Sequence, residues 1–233
     1  VLEHKLWMSR TLQHDVPTVV ALLDRFLSPQ GDSDEQGLTE TAFLNRLSRS
    51  LLLDELTQLY NRRFFNDLLR RELKRTQRHS LNLSLLILDL DDFNKCNDKF
   101  GHTFGDRVLS YLGALLRNTV REFDLPCRYG GEEFAIILPQ TPSEAASVVA
   151  ERVRRAVEQA RFPIDGSQCA FSLTASGGLS SFGHKSASPD ELVAAADLAL
   201  YKAKSEGKNR ICFLHSSRVK IERKEFDICT KRD

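Results

Sequence analysis

The residues best suited to chemistry in this 233-residue chain lie in two short acidic stretches. Asp89, Asp91 and Asp92 follow the apolar run Leu83-Ser84-Leu85-Leu86-Ile87-Leu88, and Glu132 and Glu133 follow the pair Gly130-Gly131. A strand end and a hairpin tip both project side chains from a rigid support, so neighbouring strands would make these carboxylates converge. Converging carboxylates raise one another's pKa unless a cation lies between them. A few hard oxygen ligands with room for water and substrate suit Mg²⁺ rather than zinc, and Mg²⁺ so held commonly shares its coordination with phosphates. Gly130 and Gly131 permit positive φ and leave no side chain between backbone and a bulky ligand. Lys204 and Lys208, one helical turn apart at the end of the last long helical pattern with Gly207 between them, could reach a triphosphate. Each piece also has a plain structural use. Aspartates after a strand cap the next helix, Gly-Gly makes an ordinary hairpin turn, and lysines near a helix C-terminus complement its macrodipole. Together the residues point to metal-assisted chemistry on a phosphate.

The elements that must position them are legible in outline. The Leu83–Leu88 run, ending abruptly at Asp89, predicts a buried central strand. Leu125 to Tyr129 and Phe134 to Leu138 flank the two glycines as a β-hairpin. Phe64, Phe65, Leu68, Leu69 and Leu73 mark one helix face, and Val108, Leu109, Leu112, Leu115 and Leu116 another. Thr141-Pro142-Ser143-Glu144 predicts a capping box with proline at the first helical position. Ser188-Pro189-Asp190-Glu191 repeats the device and opens a helix running to a cap at Gly207. A strand is expected around Phe171 to Leu179 and another at Ile211-Cys212-Phe213-Leu214. Helices alternating with strands, one hairpin included, predict a mixed sheet covered by helices, in the α/β or α+β class.

Upstream, residues 4–27 show apolar positions at helical spacing, and Ser28 to Asp34 form a polar breaker. Leu44, Leu47 and Leu51 follow at heptad-like spacing, too short to specify a coiled coil and equally suited to a helix packed on its own domain. The expected division is an N-terminal helical segment (1–50) with a regulatory or dimerisation role, a catalytic-sized domain (51–215) and a polar, frayed tail (216–233). At 41% hydrophobic and 28% charged, the chain can bury a core, which excludes intrinsic disorder. Its 33 basic and 32 acidic residues leave a net charge of +1, no electrostatic case for nucleic acid or direct membrane contact. Five scattered cysteines without a Cys-x-x-Cys spacing argue against disulfides or zinc and for a reducing compartment. No apolar run approaches the ~18 residues of a membrane span. The start at Val1 has neither a signal peptide's shape nor an initiator Met, so the sequence reads as a fragment with upstream domains missing, located in the cytoplasm.

Arg128-Tyr129-Gly130-Gly131-Glu132-Glu133-Phe134 resembles the GGDEF family, the diguanylate cyclases, in its Gly-Gly-Glu-Glu-Phe form. Asp54-Glu55-Leu56-Thr57-Gln58-Leu59-Tyr60-Asn61-Arg62-Arg63 is similar to the family's opening signature, with Gln58 where glycine is usual. Asp89-Leu90-Asp91-Asp92-Phe93, Asn97-Asp98-Lys99-Phe100-Gly101-His102 and Gly105-Asp106 resemble its metal- and base-binding stretch. Ala196-Asp197, Tyr201-Lys202-Ala203-Lys204 and Gly207-Lys208-Asn209 resemble its closing signature. The resemblance covers about residues 51–214.

It implies a palm-like α+β fold: a mostly antiparallel central sheet surrounded by helices, shared with polymerases and nucleotidyl cyclases. It also implies synthesis of cyclic di-GMP from two GTP molecules at a homodimer interface, with two pyrophosphates released. Carried over by position, Asp89, the Leu90 carbonyl and Glu132 hold Mg²⁺ (or Mn²⁺), and Glu132 or Glu133 assists proton removal. Asn97 and Asp106 read guanine, with Phe93, Asn94, Gly130 and Gly131 lining the nucleotide. A carboxylate satisfied by guanine is left unpaired by adenine. Lys204 and Lys208 neutralise the β- and γ-phosphates. The family often has lysine after the Phe93 position; here Asn94 stands there and Lys95 follows. Lys208 stands where arginine is common, and Gly177 replaces a usual branched apolar residue. Arg121-Glu122-Phe123-Asp124 resembles the family's inhibitory Arg-x-x-Asp site, with Arg152 at the position of a further arginine, implying feedback by the product. The plain alternative there is a surface salt bridge. The competing function is a catalytically inactive cyclic di-GMP receptor or signalling module.

Overall fold

Eight consecutive buried residues, Leu83–Leu90, form strand β1, the centre of the sheet. A computed structural model describes residues 51–164, 170–182 and 188–215; the patterns in 1–50 and the tail 216–233 lie outside the described residues. β1 follows α1 (Arg62–His79) and leads into α2 (Phe93–Phe100) and α3 (His102–Thr119). The hairpin is β2 (Leu125–Arg128) and β3 (Glu133–Pro139), and α4 (Ser143–Gln159) comes next. Two short strands, β4 (Phe162–Pro163) and β5 (Ala170–Phe171), precede β6 (Ala175–Ser181), α5 (Pro189–Ser205) and β7 (Ile211–His215). The main sheet has the order β2-β3-β1-β6-β7. Its pairs are antiparallel except β6–β7, which is parallel. This is the mostly antiparallel, helix-covered α+β architecture expected of a palm-like domain. Among the described residues no helix is long and apolar enough to cross a membrane.

Side chains of a strand alternate between faces, so β1 feeds two cores. Leu86, Leu88 and Leu90 pack with Phe104, Val108 and Leu112 of α3 and with Val149 and Val153 of α4. Leu85 and Ile87 pack on the opposite face with Phe65 and Leu69 of α1 and with Leu192, Ala196 and Leu200 of α5. Gly178 allows α5 to lie this close: a Cβ there would come 1.9 Å from the Ala196 carbonyl oxygen and 2.3 Å from the Leu200 nitrogen. A Cβ at Gly177 would fall 2.6 Å from Ile211 Cδ1 and 2.9 Å from Leu88 Cδ2, so those two side chains fill the space of the branched residue usual there.

Two local expectations are corrected. α4 starts at Ser143 with Pro142 at the N-cap and no side-chain cap, one residue later than the capping-box spacing predicts. Thr141 is buried, and its hydroxyl donates to the Pro139 carbonyl (2.8 Å) instead. The box at Ser188 forms in full, with Glu191 N–H donating to Ser188 Oγ (3.2 Å) and Ser188 N–H to Glu191 Oε2 (2.9 Å). The single strand expected over Phe171 to Leu179 is divided between two sheets. Phe171 joins an aromatic cluster with Phe100, Phe104 and Phe162, which draws β5 away, and pairing with β1 resumes at Ala175.

Candidate active site

Asp89 of β1 and Glu133 of β3 are register partners. By the alternation of the two strands both face the side covered by α1 and α5. From α5, Lys204 reaches Asp89, with Nζ 2.6 Å from Oδ2. Glu132 sits in the hairpin turn, its carbonyl accepting from Leu90 N–H (3.4 Å). Burial pushes the Glu132 carboxyl above its ordinary value, the Asp89 charge pushes it further, Lys204 opposes and Glu133 adds. These four groups therefore share one electrostatic environment. Asp89 is only 8% exposed, and its Oδ1 is buried without a hydrogen-bond partner, an expensive state for a carboxylate oxygen.

Among the described residues no three acidic, histidine or cysteine side chains gather into a ready-made metal cage. The orphaned Asp89 oxygen, the raised Glu132 carboxyl and the adjoining backbone carbonyl of Leu90 nevertheless make an all-oxygen donor set. That set fits a hard divalent ion which retains water and phosphate ligands.

The other two aspartates of the strand end do not join this cluster. Asp91 is buried and fully engaged, accepting from Thr174 Oγ1 (2.7 Å), Ser176 Oγ (2.7 Å) and Asn209 N–H (3.0 Å). Asp92, left-handed at φ 58, pairs with Lys208 (2.8 Å) and Lys95 (2.9 Å). Hydrogen bonds from Lys208 and then Lys95 pull its carboxyl down to about 2. Lys208 is not on the helix: α5 ends at Ser205, and Lys208 stands in the following turn at φ 62.

The guanine-reading candidates lie on α2 and α3. A Cβ at Gly105 would fall 1.9 Å from Asn97 Oδ1 and 3.2 Å from Phe93 Cζ, so this glycine makes room for the Asn97 carboxamide against α3. Phe93 is buried, while Asn94 and Asp106 are exposed.

Gly130 and Gly131 differ from expectation. The glycines with positive φ among the described residues are Gly101 and Gly207, not these two. Gly130 leaves room for the Glu133 carboxylate: a Cβ there would lie 2.5 Å from Glu133 Oε2 and displace that tip, whereas one at Gly131 would meet nothing within 4 Å. The turn is held by Arg128, to which no role was assigned from the sequence. Its Nη2 donates to the Gly131 carbonyl (2.8 Å) and its Nε to the Gly130 and Gly131 carbonyls (both 3.2 Å). Nη1 meets both oxygens of Asp54 at 3.1 Å. Burial raises the Asp54 carboxyl, but Thr57 and Arg128 together hold it below its ordinary value. The signal was present, because both residues belong to recognised motifs, but only the fold shows that the opening signature braces the hairpin. Gln58, where the family favours glycine, is left-handed at φ 56, which explains that preference.

A second cluster lies apart. Arg121 N–H donates to Asp124 Oδ2 (2.9 Å). Burial raises the Asp124 carboxyl, countered by that hydrogen bond and by the charges of Arg121 and Arg152. The positive charge on α4 thus acts on the same carboxylate as Arg121. Arg152 also lines an open groove of about 780 Å³ with Thr119, Val148 and Arg155.

Residues 51–210 match the family model described as "Diguanylate cyclase, GGDEF domain". The chain is 39% identical over 170 residues to the response regulator PleD of Caulobacter vibrioides, covering 72% of this chain and 37% of that protein. It is 35% identical over 212 residues to diguanylate cyclase DgcP of Pseudomonas aeruginosa, covering 90% and 29%. The chain therefore spans well under half the length of these relatives. Among solved structures, the GGDEF domain of DgcB from Caulobacter crescentus in complex with c-di-GMP superposes with a TM-score of 0.67 at 28% identity, covering 79% of this chain and 98% of that one. SiaD of Pseudomonas aeruginosa, in complex with its activator SiaC, gives 0.68 at 34% identity, covering 91% and 75%.

Proposed function

Because the chain belongs to the GGDEF family, we propose that it condenses two GTP molecules into cyclic di-GMP and releases two pyrophosphates. The observation that carries this reading is the buried, unpartnered Asp89 Oδ1 beside Glu132, Glu133 and Lys204 at the C-terminal end of the central strand. Mg²⁺, or Mn²⁺ on the same oxygen donors, would be held by Asp89, the Leu90 carbonyl and Glu132, and would supply Lewis-acid polarisation of the α-phosphate.

The chain's own residues do the rest. Asn97 and Asp106 bind the guanine edge, with Phe93 beside them in the nucleotide pocket. Asn94 and the open face of Gly130 and Gly131 border the nucleotide. Lys204 and Lys208 meet the β- and γ-phosphates, so the leaving pyrophosphate is already neutralised. Glu132 or Glu133 takes the proton of the 3′-hydroxyl as its oxygen bonds to phosphorus and the bond to the bridging oxygen breaks. A product with two equivalent phosphodiester links needs two such events. Two protomers, each holding one GTP, facing one another antiparallel supply both. Arg121, Asp124 and Arg152 form the product-binding inhibitory site, a coupling between distinct sites. Residues 51–215 carry this module, 1–50 serve regulation or dimerisation, and dependence on GTP places the work in the cytoplasm.

The test is turnover by nucleotide-free protein with GTP and Mg²⁺ across a protein dilution series. Cyclic di-GMP should form at a rate rising more than linearly with protein in the dissociating range. Asp89→Asn and Glu133→Gln should abolish it, and Arg121→Ala should remove product inhibition. Untouched GTP from a dimeric sample that still binds cyclic di-GMP would make the protein a receptor instead.

A further inference from the structure

Gly207 leaves α5 at φ 111, and two non-glycine residues follow in the left-handed region, Lys208 at φ 62 and Asn209 at φ 47. Each such residue costs about 1–2 kcal/mol, so the turn persists only where its surroundings over-determine it. Those surroundings converge on Asn209. Its backbone N–H donates to Asp91 Oδ2 (3.0 Å), and its Nδ2 donates to Glu158 Oε1 (2.7 Å). Its Oδ1 accepts from Arg154 Nη1 (2.5 Å). Arg154 is itself 9% exposed and locked to Glu151 (2.9 and 2.8 Å) and Glu158 (2.9 Å) on α4. Asp91 is anchored by Thr174 and Ser176 and lies two residues from Asp89. Asn209 is thus tied on one side to α4 and on the other to the strand end that carries the acidic pocket. Its chain neighbour Lys208 lies beside Asp91's neighbour Asp92, with Nζ 2.8 Å from Oδ2.

An ion-pair cluster whose carboxylates, Glu151 and Glu158, are 38% and 42% exposed is weak evidence for stability, since solvent screens much of its attraction. What this one does is hold a strained turn in one geometry. We infer that Asn209, latched by Arg154 and Asp91, is a positioning residue that aims Lys208 at the terminal phosphates of the nucleotide. The inference rests on the proposed contact of Lys208 with those phosphates. A lysine on a long flexible stem benefits from a fixed base, because no backbone freedom remains to be lost when the phosphate arrives.

The experiment compares affinities of the full chain for α,β-methylene GTP, which cannot release pyrophosphate, and for GMP, both with Mg²⁺. A single charge-assisted contact corresponds to about tenfold in affinity. Lys208→Met should lower triphosphate affinity by about that factor and leave GMP unchanged. Asn209→Ala and Arg154→Met should reduce the triphosphate-to-GMP ratio roughly threefold or more, and Asn209→Ala should add nothing to Lys208→Met. Asn209→Gly adopts the left-handed turn without strain, which offsets part of the two lost side-chain hydrogen bonds, so it should fold better than Asn209→Ala and still lose the ratio. A wild-type ratio in Asn209→Gly alongside a reduced one in Lys208→Met, or additive losses, would overturn the latch. An unchanged ratio in Lys208→Met would instead remove the phosphate contact, and the latch with it.

Discussion

Gly130→Ala separates the placement of Glu133 from the stability of the fold. Gly130 is outside the left-handed region, so alanine is unstrained there and restricts the unfolded chain, a gain of about 0.4–1 kcal/mol. The new Cβ would lie 2.5 Å from Glu133 Oε2 but 3.5 Å from its Cβ and Cδ, so only the carboxylate tip must move. An off-rotamer side chain costs about 0.5–1.5 kcal/mol, which leaves a net change within about 1 kcal/mol. For a domain of this size that is a Tm shift of roughly 2–4 °C or less. The chemistry is far more sensitive, because a displacement of about 1 Å at a reacting group costs up to about 100-fold in rate. Thermal unfolding by circular dichroism and pyrophosphate release at a fixed high protein concentration give the two numbers. Gly131→Ala, whose Cβ meets nothing within 4 Å, is the stability control. If Gly130→Ala melted normally and kept its turnover within about threefold of wild type, well short of the loss expected for a misplaced carboxylate, the contact with Glu133 would not matter.

Three further outcomes are expected. Burial, and then Asp89, raise the Glu132 carboxyl above its ordinary 4.5, so ionised Glu132 weakens the nucleotide-free fold at neutral pH, and the penalty fades as pH falls through the raised value toward 4.5. Glu132→Gln should therefore raise Tm at pH 7, lose that advantage near pH 4 and abolish turnover; a lower Tm at pH 7 contradicts this. Gln58→Gly relieves a left-handed glutamine and should stabilise by up to about 1 kcal/mol, measured by urea unfolding, with an unchanged or lower midpoint counting against it. Arg128→Met releases the Gly130 and Gly131 carbonyls and leaves Asp54 without its cation, which should cost about 2 kcal/mol and most of the turnover. Wild-type turnover in that variant would show that the hairpin needs no brace.

Local physics made much of this protein legible in the sequence. The short run Leu83–Leu88, stopped at once by Asp89, has the length and composition of a buried strand, Gly-Gly between two β-patterned segments favours a turn, and Ser188 with Glu191 caps its helix by contacts three residues apart. The ordered motifs carried the family in the same way. Tertiary structure alone decided which chemistry-bearing groups meet. Strand parity and register put Asp89 beside Glu133, while hydroxyls from β6 and its approach captured Asp91, and Lys95 and Lys208 captured Asp92. Thr141 lost its cap to the Pro139 carbonyl, Phe171 left the sheet for an aromatic cluster, and Arg128 found Asp54 across 74 residues of chain. Propensity and spacing act over a few residues. The partners of a buried carboxylate come from strands and turns distant in the chain, and only the folded register brings them within hydrogen-bonding distance.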